Sequence, residues 1–248
     1  MTSPDQVLAT RLATEAGQRL VAARAELFAS GAGMWTVKDT GDAVAQEFLM
    51  GELTRERPDD AVLSEEGRED PRRFGGGRVW IIDPLDGTKE FAQQGRVDWA
   101  VHVALWEDDH FVAGAVSLPA LDITFAMDPP PVLPAVDRTN PRLITSRNSA
   151  PYSAHLVYEA LDCEPVRLGS AGAKTMAVVM GEADIYVHDG GMFQWDTAAP
   201  AAVAQAAGLF VSRIDGSQIV YNERDPWLPD FIVCRPELSD DVLRALWG

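Results

Sequence analysis

The hydrophobic positions of this chain change period several times, and each change marks an element. Val7, Leu8, Leu12, Ala16, Leu20 and Val21 recur at helical spacing, so the chain opens on a long amphipathic helix with one face for a core. Residues 35–42 read as a polar loop. A second helix is expected over 43–55, with Asp42 at its N-cap and Pro58 beyond its end. The apolar triplet 61–63 reads as a short strand, and 68–77, with Pro71 and Gly75 to Gly77, as a mobile loop. Val79, Trp80, Ile81 and Ile82 then form an unbroken apolar run, the mark of a strand buried on both faces. Pro84 is expected to end that strand, and Gly87 to permit a sharp turn.

Alternation follows. Residues 99–106 and 111–118 form a hairpin through 107–110, and 123–127 can add a third antiparallel strand. The proline-rich tract 128–140 reads as the join between two halves, an α+β domain over 1–135 and an α/β domain over 136–248. In the second half, strands at 143–145, 166–168 and 185–187 alternate with helices at 150–161, after 169–174 and at 197–207.

Composition narrows the function classes. At 248 residues with 46% apolar content, the chain can bury a sizeable core and is not disordered. Its 38 acidic and 21 basic residues leave a formal charge of −17, which repels polymeric nucleic acid and anionic membranes. No run approaches the ~20 apolar residues of a membrane span, and residues 1–6 lack a basic region, so a soluble protein is expected. Cys163 and Cys234 fit neither a disulfide framework nor a zinc site, and a reduced cytoplasmic compartment is the simplest expectation.

The chemistry concentrates at Asp83-Pro84-Leu85-Asp86-Gly87-Thr88. Two carboxylates emerge together at a strand end, followed by a hydroxyl, and hard divalent cations favour oxygen ligands at such a turn. Asp-Gly after an apolar run also makes an ordinary turn, so the motif alone leaves both readings open. An aspartyl-phosphate mechanism of the haloacid-dehalogenase type is excluded, because it needs an aspartate two residues before Asp86, where Pro84 stands. Asp42, Glu65 and Asp196 also border an apolar strand or a helix start. Carboxylates packed together without cations raise each other's pKa values, whereas two or three magnesium ions remove the conflict and can activate a water to attack phosphate.

Asp42, Glu65-Glu66, the Asp83–Thr88 motif and Trp195-Asp196-Thr197-Ala198-Ala199 together resemble the inositol monophosphatase superfamily of lithium-sensitive, magnesium-dependent phosphatases. The resemblance runs through nearly the whole chain. It implies a layered α-β-α-β-α sugar-phosphatase fold and two or three Mg2+ per active site. By the same resemblance Glu65, Asp83 and the Leu85 carbonyl would hold one metal, Asp83, Asp86 and Asp196 a second, and Glu65 would assist a third. Thr88 and Asp42 would orient the attacking water, and Gly87 and Thr88 would present donors to the phosphate.

Thr88-Lys89-Glu90-Phe91 stands where inositol phosphatases usually have Thr-Thr-Asn-Phe, and looks like the CysQ branch. That branch hydrolyses the 3′-phosphate of adenosine 3′,5′-bisphosphate and sometimes of its sulfated form. Gly169-Ser170-Ala171-Gly172-Ala173-Lys174 resembles the branch's Ser-x-x-Lys element, where a helix N-terminus and Lys174 suit a second phosphate. The competing reading of Lys174 is a solvated helix lysine. Lys89 and Arg147 are further candidate substrate contacts, Arg147 being equally readable as a surface residue. Asp189 stands six residues before Trp195, where inositol phosphatases carry a sugar-binding glutamate, so an inositol or fructose-1,6-bisphosphatase-type sugar phosphatase is the alternative. A catalytically silent binding protein is a third reading, opposed by the intact Asp42 and Thr88. His102, in an alternating strand, reads as structural. The resemblance also implies a homodimer.

Overall fold

The computed structural model describes residues 2–147 and 149–247. Helix α1 (Pro4–Ala29) buries the predicted stripe, including Leu8, Leu12, Ala16 and Leu20, although Val7 and Val21 lie outside it. Helix α2 (Met34–Glu56) begins nine residues before the expected start at 43, because the segment expected as a loop is helical. The reason is a stripe at four-residue spacing, Val37, Gly41, Ala45, Leu49 and Leu53, all buried against α1 and the first sheet. Asp42 therefore sits mid-helix rather than at an N-cap.

That first sheet contains β1 (Ala61–Ser64), β2 (Val79–Asp86), β3 (Ala100–Glu107), β4 (His110–Leu118) and β5 (Ile123–Ala126), in sequential order. Only β1 and β2 are parallel; the other neighbours are antiparallel. Strand β2 shows why its apolar run is continuous. Trp80 and Ile82 pack against α1 and α2, while Val79 and Ile81 face the opposite core. Pro84 does not end the strand; β2 continues through Asp86 across a register shift. A short helix, α3 (Thr88–Phe91), follows.

Beyond the proline tract come β6 (Arg142–Ser146), α4 (Tyr152–Ala160), β7 (Glu164–Leu168), α5 (Ala171–Val179), β8 (Ile185–His188), β9 (Met192–Phe193) and α6 (Gln194–Ala206). The chain closes with β10 (Phe210–Ser212), β11 (Trp227–Leu228), β12 (Phe231–Cys234) and α7 (Ser239–Trp247). The second sheet runs β10-β12-β8-β6-β7 and is mixed, with β6 parallel to β7 and β8 and β12 antiparallel to its neighbours. Strands β9 and β11 form a separate ribbon.

Three cores define five layers. Helices α1 and α2 cover one face of the first sheet. Helices α5 and α6 fill the space between the sheets, where Met176, Val178, Ala198 and Val203 meet Ile81 and Val116 on one side and Tyr186 and Phe231 on the other. Helices α4 and α7 cover the far face of the second sheet through Val157 and Val242. This is the expected α-β-α-β-α layering. It explains why α6 is apolar nearly all round, since both of its sides face a sheet. Among the described residues no helix is long and apolar enough to cross a membrane. Cys163 and Cys234 are separate buried thiols.

The segment expected as a mobile loop, 68–77, is pinned. It forms a short 3-10 turn at Pro71–Phe74, and Arg73 is buried with its guanidinium donating to Asn222 Oδ1 (3.2 Å), Glu223 O (2.8 Å) and Arg224 O (2.8 Å). Hydrogen bonds from a charged donor contribute about 1.5–3 kcal/mol each, and these tie the 68–77 segment to the 222–224 loop. Arg73→Met is therefore expected to lower stability by about 2–4 kcal/mol. Hydrogen–deuterium exchange should show lost protection at 68–77 and at 222–224 together; unchanged exchange in both would contradict the pinning.

Candidate active site

The centre of the site is the irregular end of β2. Asp83 pairs with His102 and Asp86 with Ala100, so three steps on β2 match two on β3. In a regular strand, residues 83 and 86 would point to opposite faces, because side chains alternate with period two. The one-residue bulge cancels that alternation and turns both carboxylates toward the space filled by α5 and α6. There Asp196, in the first turn of α6, completes a trio whose nearest oxygens lie within 4.8 Å of one another.

Each carboxylate of the trio is compensated differently. Burial alone would push Asp86 upward, yet contacts from His102, Ser170 and Gly172 hold it below the usual carboxylate range. The N-terminus of α5 supplies the latter two: Ser170 Oγ donates to Asp86 Oδ2 at 2.5 Å and the Gly172 amide at 2.7 Å, while Ser170 Oγ accepts from the Ala173 amide at 2.9 Å. The anion expected at this helix start is thus the protein's own Asp86. Asp196 accepts the Phe193 amide at 2.6 Å, but burial and Asp86 raise its pKa to about 6. Asp83 is the least compensated. Its Oδ1 accepts the Leu85 amide at 3.0 Å, its Oδ2 is buried without a hydrogen-bond partner, and burial with Asp86, Glu65 and Asp196 drives its pKa well up.

Glu65 lies in the exposed turn after β1 and outside the tight trio, but its carboxyl reaches Asp83. Desolvation, Asp196, Asp86 and Glu66 raise it to about 7. An unpartnered buried carboxylate oxygen beside two further carboxylates, all oxygen donors, fits a hard divalent cation.

On the other side of the bulge, Gly87 adopts a left-handed φ of 88° and launches α3. Thr88 Oγ1 stands 3.3 Å from Asp42 Oδ1 and 3.1 Å from the Leu85 carbonyl oxygen. Asp42 reaches it because Gly41 lets α2 close on this corner; a Cβ there would stand 2.6 Å from the Phe91 ring. Desolvation and the nearby Glu66 and Asp39 raise Asp42 to about 6, against the opposing Thr88 hydrogen bond.

The remaining candidates fall around this centre. Gly169 donates its amide to Asp98 Oδ2 at 2.5 Å and abuts Glu90, which links the Thr88–Phe91 segment to the Gly169-Ser170 turn. Arg147 approaches Glu90 Oε1 at 3.3 Å and Gln93 Oε1 at 3.4 Å. Lys89 is exposed. Lys174 is 4% exposed and its ammonium donates to the Ser170 carbonyl at 2.8 Å, 5.1 Å above the Tyr186 ring. Burial depresses its pKa against the pull of Asp86 and Glu90. Asp189 is turned toward α4, accepting the Ser153 amide at 3.1 Å.

Sequence reasoning missed Asp98, and it read His102 as structural without identifying its partners. The His102 ring is fully buried, with Nδ1 at 3.1 Å from the Trp195 carbonyl oxygen and Nε2 at 3.3 Å from Asp86 Oδ2, though not aligned for a regular hydrogen bond. A Cβ on Gly172 would fall on this ring. The available signal was a lone polar residue in an apolar strand run, Val101-His102-Val103, where burial demands a partner.

With the fold and geometry in place, comparisons supply the lineage. The family model described as the inositol monophosphatase family matches residues 3–247, and the chain belongs to that family. It is 44% identical to a Mycobacterium leprae protein named 3′-phosphoadenosine 5′-phosphate phosphatase, over 98% of this chain and 94% of the relative. It is 31% identical to the Escherichia coli 3′(2′),5′-bisphosphate nucleotidase CysQ, over 77% of this chain and 82% of that protein. The crystal structure of CysQ from Bacteroides thetaiotaomicron superposes with a TM-score of 0.76 at 26% identity, covering 93% of this chain and 97% of the other.

The raised values of Asp42, Glu65 and Asp196 make a stability prediction. A carboxyl whose folded pKa exceeds its unfolded one stabilises the fold only while protonated. Metal-free protein should therefore lose stability as pH rises from about 4 to about 7, by roughly 1–3 kcal/mol. Urea denaturation with a chelator present measures this, and Asp83→Asn should flatten the slope. A stability that rises across that window would contradict the reading.

Proposed function

We propose that this chain is a magnesium-dependent phosphatase that hydrolyses the 3′-phosphate of adenosine 3′,5′-bisphosphate, yielding AMP and phosphate. The observation that carries the chemistry is the Asp83–Asp86–Asp196 trio with its unpartnered Asp83 Oδ2. Support for the substrate comes from the M. leprae relative, whose name specifies that ester. Cytoplasmic location and a homodimeric state belong to the same reading, through the family.

Asp83, Asp86, Asp196, Glu65 and the Leu85 carbonyl are the oxygen donors for two or three Mg2+. When bound, the ions lower the pKa of water and neutralise charge on the phosphate and the leaving oxygen. The chain's own groups orient the reaction. Ionised Asp42 is a stronger acceptor than the Leu85 carbonyl, so the Thr88 hydroxyl proton goes to Asp42 and a Thr88 lone pair is left to accept from the water. The water oxygen bonds to phosphorus, the bond from phosphorus to O3′ breaks, and one of the two water protons ends on O3′ while the other stays with the phosphate. No covalent phospho-enzyme is required. Gly87 and Thr88, at the start of α3, offer donors to the phosphate. Buried Lys174 adds positive charge beneath the Ser170 carbonyl, and Arg147 and Lys89 add it at the rim. The carboxylate of Asp189, held on the Ser153 amide, gives no added support to a sugar phosphatase.

Phosphate release with magnesium should favour adenosine 3′,5′-bisphosphate over inositol 1-phosphate and fructose 1,6-bisphosphate by about 100-fold in kcat/KM, or ~2.7 kcal/mol. Comparable rates on all three would replace the nucleotidase with a broad sugar phosphatase. Asp42→Asn and Thr88→Ala should each lower kcat by about 10²–10⁴-fold with little change in KM. A rise in KM with kcat unchanged would instead assign both to substrate binding and remove them from water positioning.

A further inference from the structure

Two large aromatic side chains stand exposed beside the carboxylate site with no role in the chemistry above. Phe193 is 39% exposed and Trp227 48%. They are directly opposed in the β9–β11 ribbon, so both rings rise from the same face. The Phe193 ring lies on Trp195, centroids 4.8 Å apart and planes 11° from parallel. The Trp227 indole stands across it at 5.6 Å and 81°, which makes an aromatic corner.

Three features fix that corner with respect to Asp196. The Phe193 amide donates to Asp196 Oδ2 at 2.6 Å, so the ring's own backbone is bonded to a carboxylate of the trio. Trp195, the residue under Phe193, is held through its carbonyl by His102. The ribbon is tethered on the Trp227 side by bonds from the Gln194 amide to Pro226 O (2.9 Å) and from the Gly191 amide to Pro229 O (3.1 Å), and Gly191 has no side chain where the indole packs. The corner is thus a braced apolar surface joined to Asp196 through the Phe193 backbone. A contiguous exposed apolar patch beside a polar site marks a place where a ligand can pack.

We propose that Phe193 and Trp227 form the stacking wall for the purine base of the substrate. This rests on the nucleotide reading above and gives it a recognition element. In a nucleoside 3′-phosphate one ribose ring separates the scissile phosphate from the base, so a phosphate at the trio leaves the base at the rim of the site. Stacking on an aromatic face needs no polar partner. It also supplies a recognition element for the base that buried Lys174, bonded to the Ser170 carbonyl, does not.

The test compares adenosine 3′,5′-bisphosphate with inositol 1-phosphate, which lacks a base, in the magnesium-loaded enzyme. A wild-type enzyme without preference for the nucleotide overturns the nucleotide reading itself. Given that preference, Trp227→Ala and Phe193→Ala should lower kcat/KM for the nucleotide about 10–100-fold more than for inositol 1-phosphate, through KM. An equal fall on both esters would assign the rings to packing and overturn the wall alone. Should an alanine variant fail to fold, AMP binding reads the same contact. AMP should quench an indole signal that Trp227→Phe lacks, and ribose 5-phosphate should not; no such difference overturns the proposal.

Discussion

The repulsion among Asp83, Asp86 and Asp196 is the constraint around which the interior is arranged. Their oxygens lie within 4.8 Å of one another, and two of the three residues are buried. At such separations like charges cannot all remain ionised without compensation. The compensation is graded. Asp86 has a helix N-terminus and an imidazole, Asp196 one backbone amide, and Asp83 the Leu85 amide with one oxygen left bare. The deficit is thereby concentrated at one atom, which is the arrangement a cation would correct.

Building that deficit requires parts from across the chain. The bulge in β2 brings two aspartates to one side, and α6, held between the two sheets, brings the third. His102 ties the last two pieces together, since its ring nitrogens face the Trp195 carbonyl and Asp86 at once. Close approach is possible because Gly41 and Gly172 leave room for Phe91 and His102 respectively. A side chain at Gly41 would push on Phe91, and one at Gly172 would push on His102 and thereby on Asp86.

Much of this was legible in the sequence, for reasons that differ by element. The Val79–Ile82 run and the alternating hairpin announce themselves by period alone, and the spacing of Asp83, Pro84, Leu85, Asp86, Gly87 and Thr88 carries the family resemblance. The start of α2 was not legible, because Trp35 to Asp42 is polar in composition and its helical stripe rests on two residues, Val37 and Gly41. The pinned segment at 68–77 was hidden because its anchor is an arginine, which composition assigns to the surface and only the 222–224 carbonyls draw inside. The Ser170 turn was recognised as an anion site, but a linear reading does not reveal that Asp86, eighty-four residues earlier, accepts its donors.

The central claim is that the trio is a divalent-cation site, and diffraction tests it most directly. Crystals grown or soaked with Mn2+ should give an anomalous peak at bonding distance from oxygens of Asp83, Asp86 and Asp196. A well-ordered site with no peak there, at manganese concentrations that support phosphate release, would contradict the account.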